Sequence, residues 1–172
     1  MPLGYIKTLE PLTEAFLRFH PKSVLDLGIG YGMNGAVLRN YFGGPDGRLD
    51  ASKPAFVLHG IEVFHHYRNP MWGLYDRVTV GDIRDSLPIL GNYDLVVCTD
   101  VLEHLDVDLG KQVLMRARHA FIGVCNYLEA NPKEGAFGNP HEAHVSQWSR
   151  DLLESFGYEV TELNPVYLLA VK

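Results

Sequence analysis

Residues 24–32 read Val-Leu-Asp-Leu-Gly-Ile-Gly-Tyr-Gly, a short apolar strand that carries one carboxylate and then breaks into glycines at alternate positions. Glycines placed there let the backbone turn tightly and come close to a ligand. The helix that follows presents unpaired N–H groups to a polar end of that ligand. Asp26 is the informative residue, because a carboxylate in a buried parallel strand is costly unless it is hydrogen-bonded or serves a ligand. The window points to an α/β protein that binds a nucleotide-like cofactor.

The rest of the chain supports an alternation of strand and helix. Leu12, Ala15, Phe16 and Phe19 share one face of a helix opened by Pro11 and stopped by Pro21, and residues 33–42 read as the first crossover helix. Gly-Gly-Pro-Asp-Gly at 43–47 and the polar stretch to Pro54 read as a surface loop. Short apolar runs follow at 56–62, 77–80, 93–98 and 120–125, as expected of parallel strands covered on both faces. Helical patterning covers 108–118 and 146–156, the second with Trp148, Leu152, Leu153 and Phe156 on one side. Residues 159–163 and 166–171, joined at Asn164-Pro165, read as a terminal hairpin. The pattern predicts an open, mostly parallel, doubly wound sheet with helices on both faces.

With 172 residues, 47% of them hydrophobic, the chain is expected to form one domain spanning 1–172. The formal net charge is −6 and the basic residues are scattered, which argues against a broad phosphate-binding face and hence against nucleic acid as partner. No segment approaches the roughly 20 apolar residues of a membrane span. Cys98 and Cys125 lie in strand-like runs, as buried thiols of an intracellular protein would. The N-terminus carries no basic region followed by an apolar stretch, so a cytoplasmic protein is expected.

In an open sheet of this kind ligands bind beyond the carboxyl ends of the strands, where strand order reverses. Each of those ends carries polar groups: Asp26 with Gly28, Gly30 and Gly32; Gly60-Ile61-Glu62-Val63; Gly81-Asp82-Ile83; and Thr99-Asp100-Val101-Leu102-Glu103-His104. Glu62 can accept both hydroxyls of a ribose, and Asp82 beside Ile83 can bond an adenine amino group while the apolar neighbour covers the ring. These ordered motifs resemble those of the class I S-adenosylmethionine-dependent methyltransferases over residues 22–171. The resemblance implies a seven-stranded Rossmann-like sheet of order 3-2-1-4-5-7-6 with the last strand antiparallel. It also implies that Asp26 and the glycine loop hold the methionine part of the cofactor, Glu62 and Val63 the ribose, and Asp82 and Ile83 the adenine, with Asp100 alongside. Gly30 to Gly35 also satisfies the dinucleotide pattern Gly-x-Gly-x-x-Gly. Gly28 and Asp26 precede it, however, and the chain lacks room for a dehydrogenase's second domain.

The acceptor side offers Asp100, Glu103 and His104, and the stretch Asn139-Pro140-His141-Glu142-Ala143-His144 to Arg150. Asp100-x-x-Glu103-His104 with His141-x-x-His144 is similar to the metal-binding arrangement of the plant-type small-RNA 2′-O-methyltransferases, and ubiquinone-pathway O-methyltransferases carry a related Glu-His stretch. The resemblance implies Glu103, His104 and His144 around Mg2+ or another divalent cation, and His104 or His144 as base. Asp100 replaces the family's first Glu and reaches less far. The expected reaction is methyl transfer to an oxygen of a small molecule. A non-catalytic cofactor-binding partner subunit and an RNA 2′-O-methyltransferase stand as alternatives. Trp148 is equally a core residue or a substrate platform, and His65, His66, Tyr67 and Arg68 follow the second strand near the expected adenine but read equally as solvated residues at a helix start. Oligomeric state is not legible.

Overall fold

A computed structural model describes residues 4–43, 55–126 and 138–172. The loop expected at 43–54 lies outside the described residues from 44 onward. Seven strands form one sheet of order β3-β2-β1-β4-β5-β7-β6. They are β1 (Ser23–Leu27), β2 (Val57–Glu62), β3 (Arg77–Val80), β4 (Leu95–Thr99), β5 (Ala120–Cys125), β6 (Glu159–Asn164) and β7 (Tyr167–Val171). The first five run parallel, and β7 pairs antiparallel with both β5 and β6. Order reverses at β1, which is hydrogen-bonded to β2 on one side and β4 on the other.

The central strands are apolar throughout because helices cover both faces. Along β4 every residue is buried. On one face α1 (Leu9–Phe19) and α2 (Met33–Phe42) pack Leu12, Phe16 and Leu38 against Val24, Leu58, Val97 and Phe121. On the other, α3 (Ile83–Ser86), α4 (Val107–Arg116) and α5 (Arg150–Ser155) bring Ile83, Val113, Leu114 and Leu153 onto Leu25, Val96, Ile122 and Ala170. Asp106 and Ser149 cap α4 and α5 by accepting from the N–H groups of Leu109 and Leu152. No described helix is long and apolar enough to cross a membrane.

Two segments depart from the sequence reading. The helix expected over 146–156 begins only at Arg150, because Trp148 is held extended by Asn126, whose side-chain oxygen accepts the Trp148 N–H at 2.8 Å. The β2–β3 crossover consists of two short 3-10 turns, His65–Tyr67 and Pro70–Leu74, in place of a helix. Asn69 caps the second by accepting the Met71 N–H.

Candidate active site

The glycine loop after β1 docks on β2: the N–H groups of Gly28 and Ile29 both donate to the Ile61 carbonyl, at 2.8 and 3.1 Å. Gly28, Gly30 and Gly32 all have positive φ, and a Cβ on Gly28 would overlap the Val101 side chain. Above this loop opens a cavity at the carboxyl ends of β1 to β4, on the reversal point of the sheet. Its wall includes Gly28, Gly30, Asn34, Glu62, Val63, Asp82, Ile83, Thr99, Asp100 and His104.

Glu62 is 5% exposed, and its two oxygens are shared out: Oε2 accepts the Gly30 N–H at 2.8 Å and Oε1 the Phe64 N–H at 2.9 Å. Burial raises its pKa, and those two bonds oppose the rise. An ionised oxygen that accepts one N–H keeps acceptor capacity for a ligand hydroxyl. Asp82 caps α3 through the Arg84 N–H and pairs with the Arg84 guanidinium at 2.7 Å. It stands beside Ile83, which is buried at the cavity edge.

Asp26 and Gly32 stand behind the wall. Asp26 is fully buried; Oδ2 accepts the Tyr75 hydroxyl at 2.6 Å and Oδ1 accepts the Asn34 amide at 3.3 Å. Burial pushes its carboxyl up to about 7 against the pull of those bonds. Gly32 sits in the left-handed region just ahead of α2 and closes the loop through its N–H to the Ile29 carbonyl at 2.7 Å.

Asp100 is on the wall in a left-handed backbone conformation, φ +55°. Its Oδ2 accepts the Tyr5 N–H at 2.9 Å and the Tyr167 hydroxyl at 3.1 Å, so it ties the N-terminal segment to β7. Glu103 is fully buried. Its Oε1 accepts the Cys125 N–H at 2.9 Å, while Oε2 has no hydrogen-bond partner among the described residues, an arrangement that costs about 1–3 kcal/mol and more for a charged group. Burial drives its pKa well up. One ligand atom each from Glu103, His104 and His144 lies within 4.8 Å of the others, and the two imidazoles meet edge-on at 4.7 Å. His104 Nδ1 donates to the Ala143 carbonyl at 3.2 Å, which leaves Nε2 with its lone pair; burial lowers its pKa to about 4, so the ring is neutral at neutral pH. A buried carboxylate oxygen without a donor and two converging imidazoles are the donor set a divalent cation takes. Asp100, bound elsewhere, is not part of this group.

Tyr67, Asn139, His141 and Glu142 also line the cavity, and the Tyr67 ring meets that of Tyr31 in the glycine loop edge-on at 5.4 Å. The Tyr67 hydroxyl donates to Glu142 Oε1 at 2.7 Å, and the Asn139 amide reaches both. Tyr67, for which the sequence left a place near the adenine and a solvated one equally open, is buried in the wall; an aromatic five positions after a strand does not decide between them. Trp148 is 1% exposed with its indole N–H on Ser146 Oγ, so it is core and not a platform. His59 bonds Tyr93 and His119 stacks on Phe19, both away from the site.

No protein-family model matches the chain, and no curated protein matches it in sequence. Solved structures do match over nearly its whole length. The N-terminal domain of EvdMO1 with SAH bound superposes at a TM-score of 0.63 with 15% identity, over 98% of this chain and 81% of that one. The methyltransferase domain of a bacterial CtHen1 gives 0.57 and 16%, over 96% of each chain. The chain has the class I S-adenosylmethionine-dependent methyltransferase fold. A Burkholderia thailandensis 1,6-didemethyltoxoflavin-N1-methyltransferase with S-adenosylhomocysteine bound gives 0.59 and 15%, over 95% and 76%. In a methyltransferase fold of this strand order, the cavity occupies the reversal point where ligands bind.

Proposed function

We propose that this chain is an S-adenosylmethionine-dependent methyltransferase acting on an oxygen of a small molecule. The observation that carries the reading is one cavity lined both by the glycine loop, Glu62, Asp82 and Ile83 and by His104, His141 and Glu142. Glu62 accepts the ribose hydroxyls, Ile83 covers the adenine and Asp82 receives its amino group. Transfer from a sulfonium is an in-line displacement, so alignment supplies much of the rate and a base serves an acceptor that carries a proton. His104, neutral and with its Nε2 lone pair, or His144 takes that proton where no metal ion is bound; with an ion bound, His104 Nε2 serves as a ligand and not as the base.

Glu103, His104 and His144 fit a divalent ion, Mg2+ or another, and would hold it. Such an ion supplies the positive charge that lowers the pKa of an acceptor hydroxyl. We place the protein in the cytoplasm, where Cys98 and Cys125 remain thiols.

Calorimetry with S-adenosylhomocysteine checks the cofactor: micromolar binding to the native chain, weakened at least about 30-fold in Glu62→Ala by loss of two charged hydrogen bonds. A silent titration with folded protein overturns the reading. Elemental analysis after incubation with Mn2+ is expected to find one ion per chain, absent from Glu103→Gln. The CtHen1 likeness, with the Glu103–His104–His144 grouping, favours RNA 2′-O-methylation as a second reading. Methylation of short RNA in preference to small hydroxylated acceptors would establish it over the first.

A further inference from the structure

Asp26 is the residue that the motif assigns to the cofactor's amino-acid end, yet it has no place on the cavity wall and both its oxygens are already engaged. Its influence reaches the cavity through the groups bonded to it. One of these is Asn34, in the first turn of α2 and on the wall. The Asn34 amide nitrogen donates one N–H to Asp26 Oδ1 at 3.3 Å and the other to Thr99 Oγ1 at 3.0 Å. The Tyr75 hydroxyl donates to Oδ2, and above pH 7, where Asp26 is ionised, Oδ1 only accepts, which sets the amide nitrogen toward it. With both N–H groups spent, what Asn34 offers a ligand is its carbonyl oxygen, which takes no hydrogen bond from the described residues. Thr99 accepts from Asn34 and also lines the cavity, which leaves its hydroxyl hydrogen to give. An acceptor beside a donor suits the two charged ends of an α-amino acid: ammonium on Asn34, carboxylate on Thr99.

Tyr75 holds this arrangement from behind. Its hydroxyl donates to Asp26 and accepts the Gly35 N–H at 3.1 Å, one of the N-terminal N–H groups of α2 that no helical carbonyl can serve. Its ring fills space kept open by glycine: a Cβ on Gly35 would overlap the phenol, and one on Gly60 would stand 3.0 Å from the ring. A Cβ on Gly32 would stand 3.4 Å from the same ring. The phenol therefore fixes the first turn of α2 and the Asp26 carboxylate in one contact.

We propose that Asn34 and Thr99 receive the amino-acid end of the cofactor, and that Tyr75 is the positioning residue that sets Asn34 through Asp26. The inference rests on the cofactor reading above. It is tested with two ligands, S-adenosylhomocysteine and 5′-methylthioadenosine, which keeps the adenosyl thioether but lacks the amino-acid end.

Asn34→Ala is expected to bind S-adenosylhomocysteine about tenfold more weakly, with methylthioadenosine changed less than about twofold. Tyr75→Phe, which keeps the ring, should show the same ligand-selective loss at about threefold to fivefold. A merely structural role for Tyr75 would weaken both ligands alike. Equal losses for the two ligands, or no loss in Asn34→Ala, overturn the proposal while leaving the cofactor reading intact. Wild-type protein that binds neither ligand overturns both. Asn34→Ala leaves the Tyr75 packing untouched, so it decides the matter even where Tyr75→Phe does not fold.

Discussion

The Asp26 carboxyl carries a pH signature with a definite sign. Burial pushes it up to about 7, with the Glu62 charge adding to the rise and the Tyr75 and Asn34 bonds opposing it. The groups around it do not compensate. The Cys98 thiol is itself pushed up and stays neutral, and the Arg39 guanidinium acts on the Tyr75 phenol while bound to Asp76 at 2.6 Å. Between its ordinary value near 3.8 and about 7, native Asp26 keeps a proton that the unfolded chain has released. Stability therefore falls as pH rises through that window, by at most about 4 kcal/mol. Glu62, Asp100 and Glu103 are raised too and contribute in the same direction, so the whole-protein slope does not isolate one group. The difference between Asp26→Asn and wild type does: thermal unfolding from pH 5 to 7.5 should show wild type losing stability relative to the variant. A constant difference across that range would mean that Asp26 stays ionised in the native state.

At the level of elements, Trp148 packs the acceptor-side segment against α4. The indole lies so close over Gly110 that a Cβ there would overlap its six-membered ring, and Trp148 is braced on its other side by Asn126. Gly110→Ala is expected to cost about 1–3 kcal/mol by overpacking, whereas Gly73→Ala, with open space around it, should stay within about 0.5 kcal/mol. Chemical denaturation of the two variants compares them directly. The same contact explains where sequence periodicity misled. Trp148, Leu152 and Phe156 repeat at helical spacing, but Trp148 faces the core from an extended segment, and the helix waits for its Ser149 cap. Where an element is set by its own residues it was legible, as with α2 over 33–42 and β3 over 77–80. The turns between β2 and β3 are set by Asn69, Trp72 and Arg39 bonding to other parts of the chain, and they leave no periodic trace.

Across the whole molecule, the parts of the site that end strands were readable because strand ends must converge where the sheet reverses order. Glu62, Asp82 and the glycine loop needed no more than that. Asn34, Tyr75 and Tyr67 were not readable, because each acts through a hydrogen bond to a residue on a different element. Tyr75 lies 49 positions from Asp26 and Tyr67 75 positions from Glu142. Such a site is a property of the assembled sheet, so its occupation should be felt by the global unfolding transition. A ligand that binds only the native chain stabilises it by about 2.7 kcal/mol at one hundred times its dissociation constant. For a domain of this size that raises the thermal midpoint by about 5–10 °C. S-adenosylhomocysteine is expected to produce that shift in wild type and in Gly110→Ala, whose lesion lies against Trp148, neither residue being on the cavity wall. Glu62→Ala should show none at the same ligand concentration. A midpoint unmoved in wild type would mean that the convergence of strand ends on this cavity serves some other ligand.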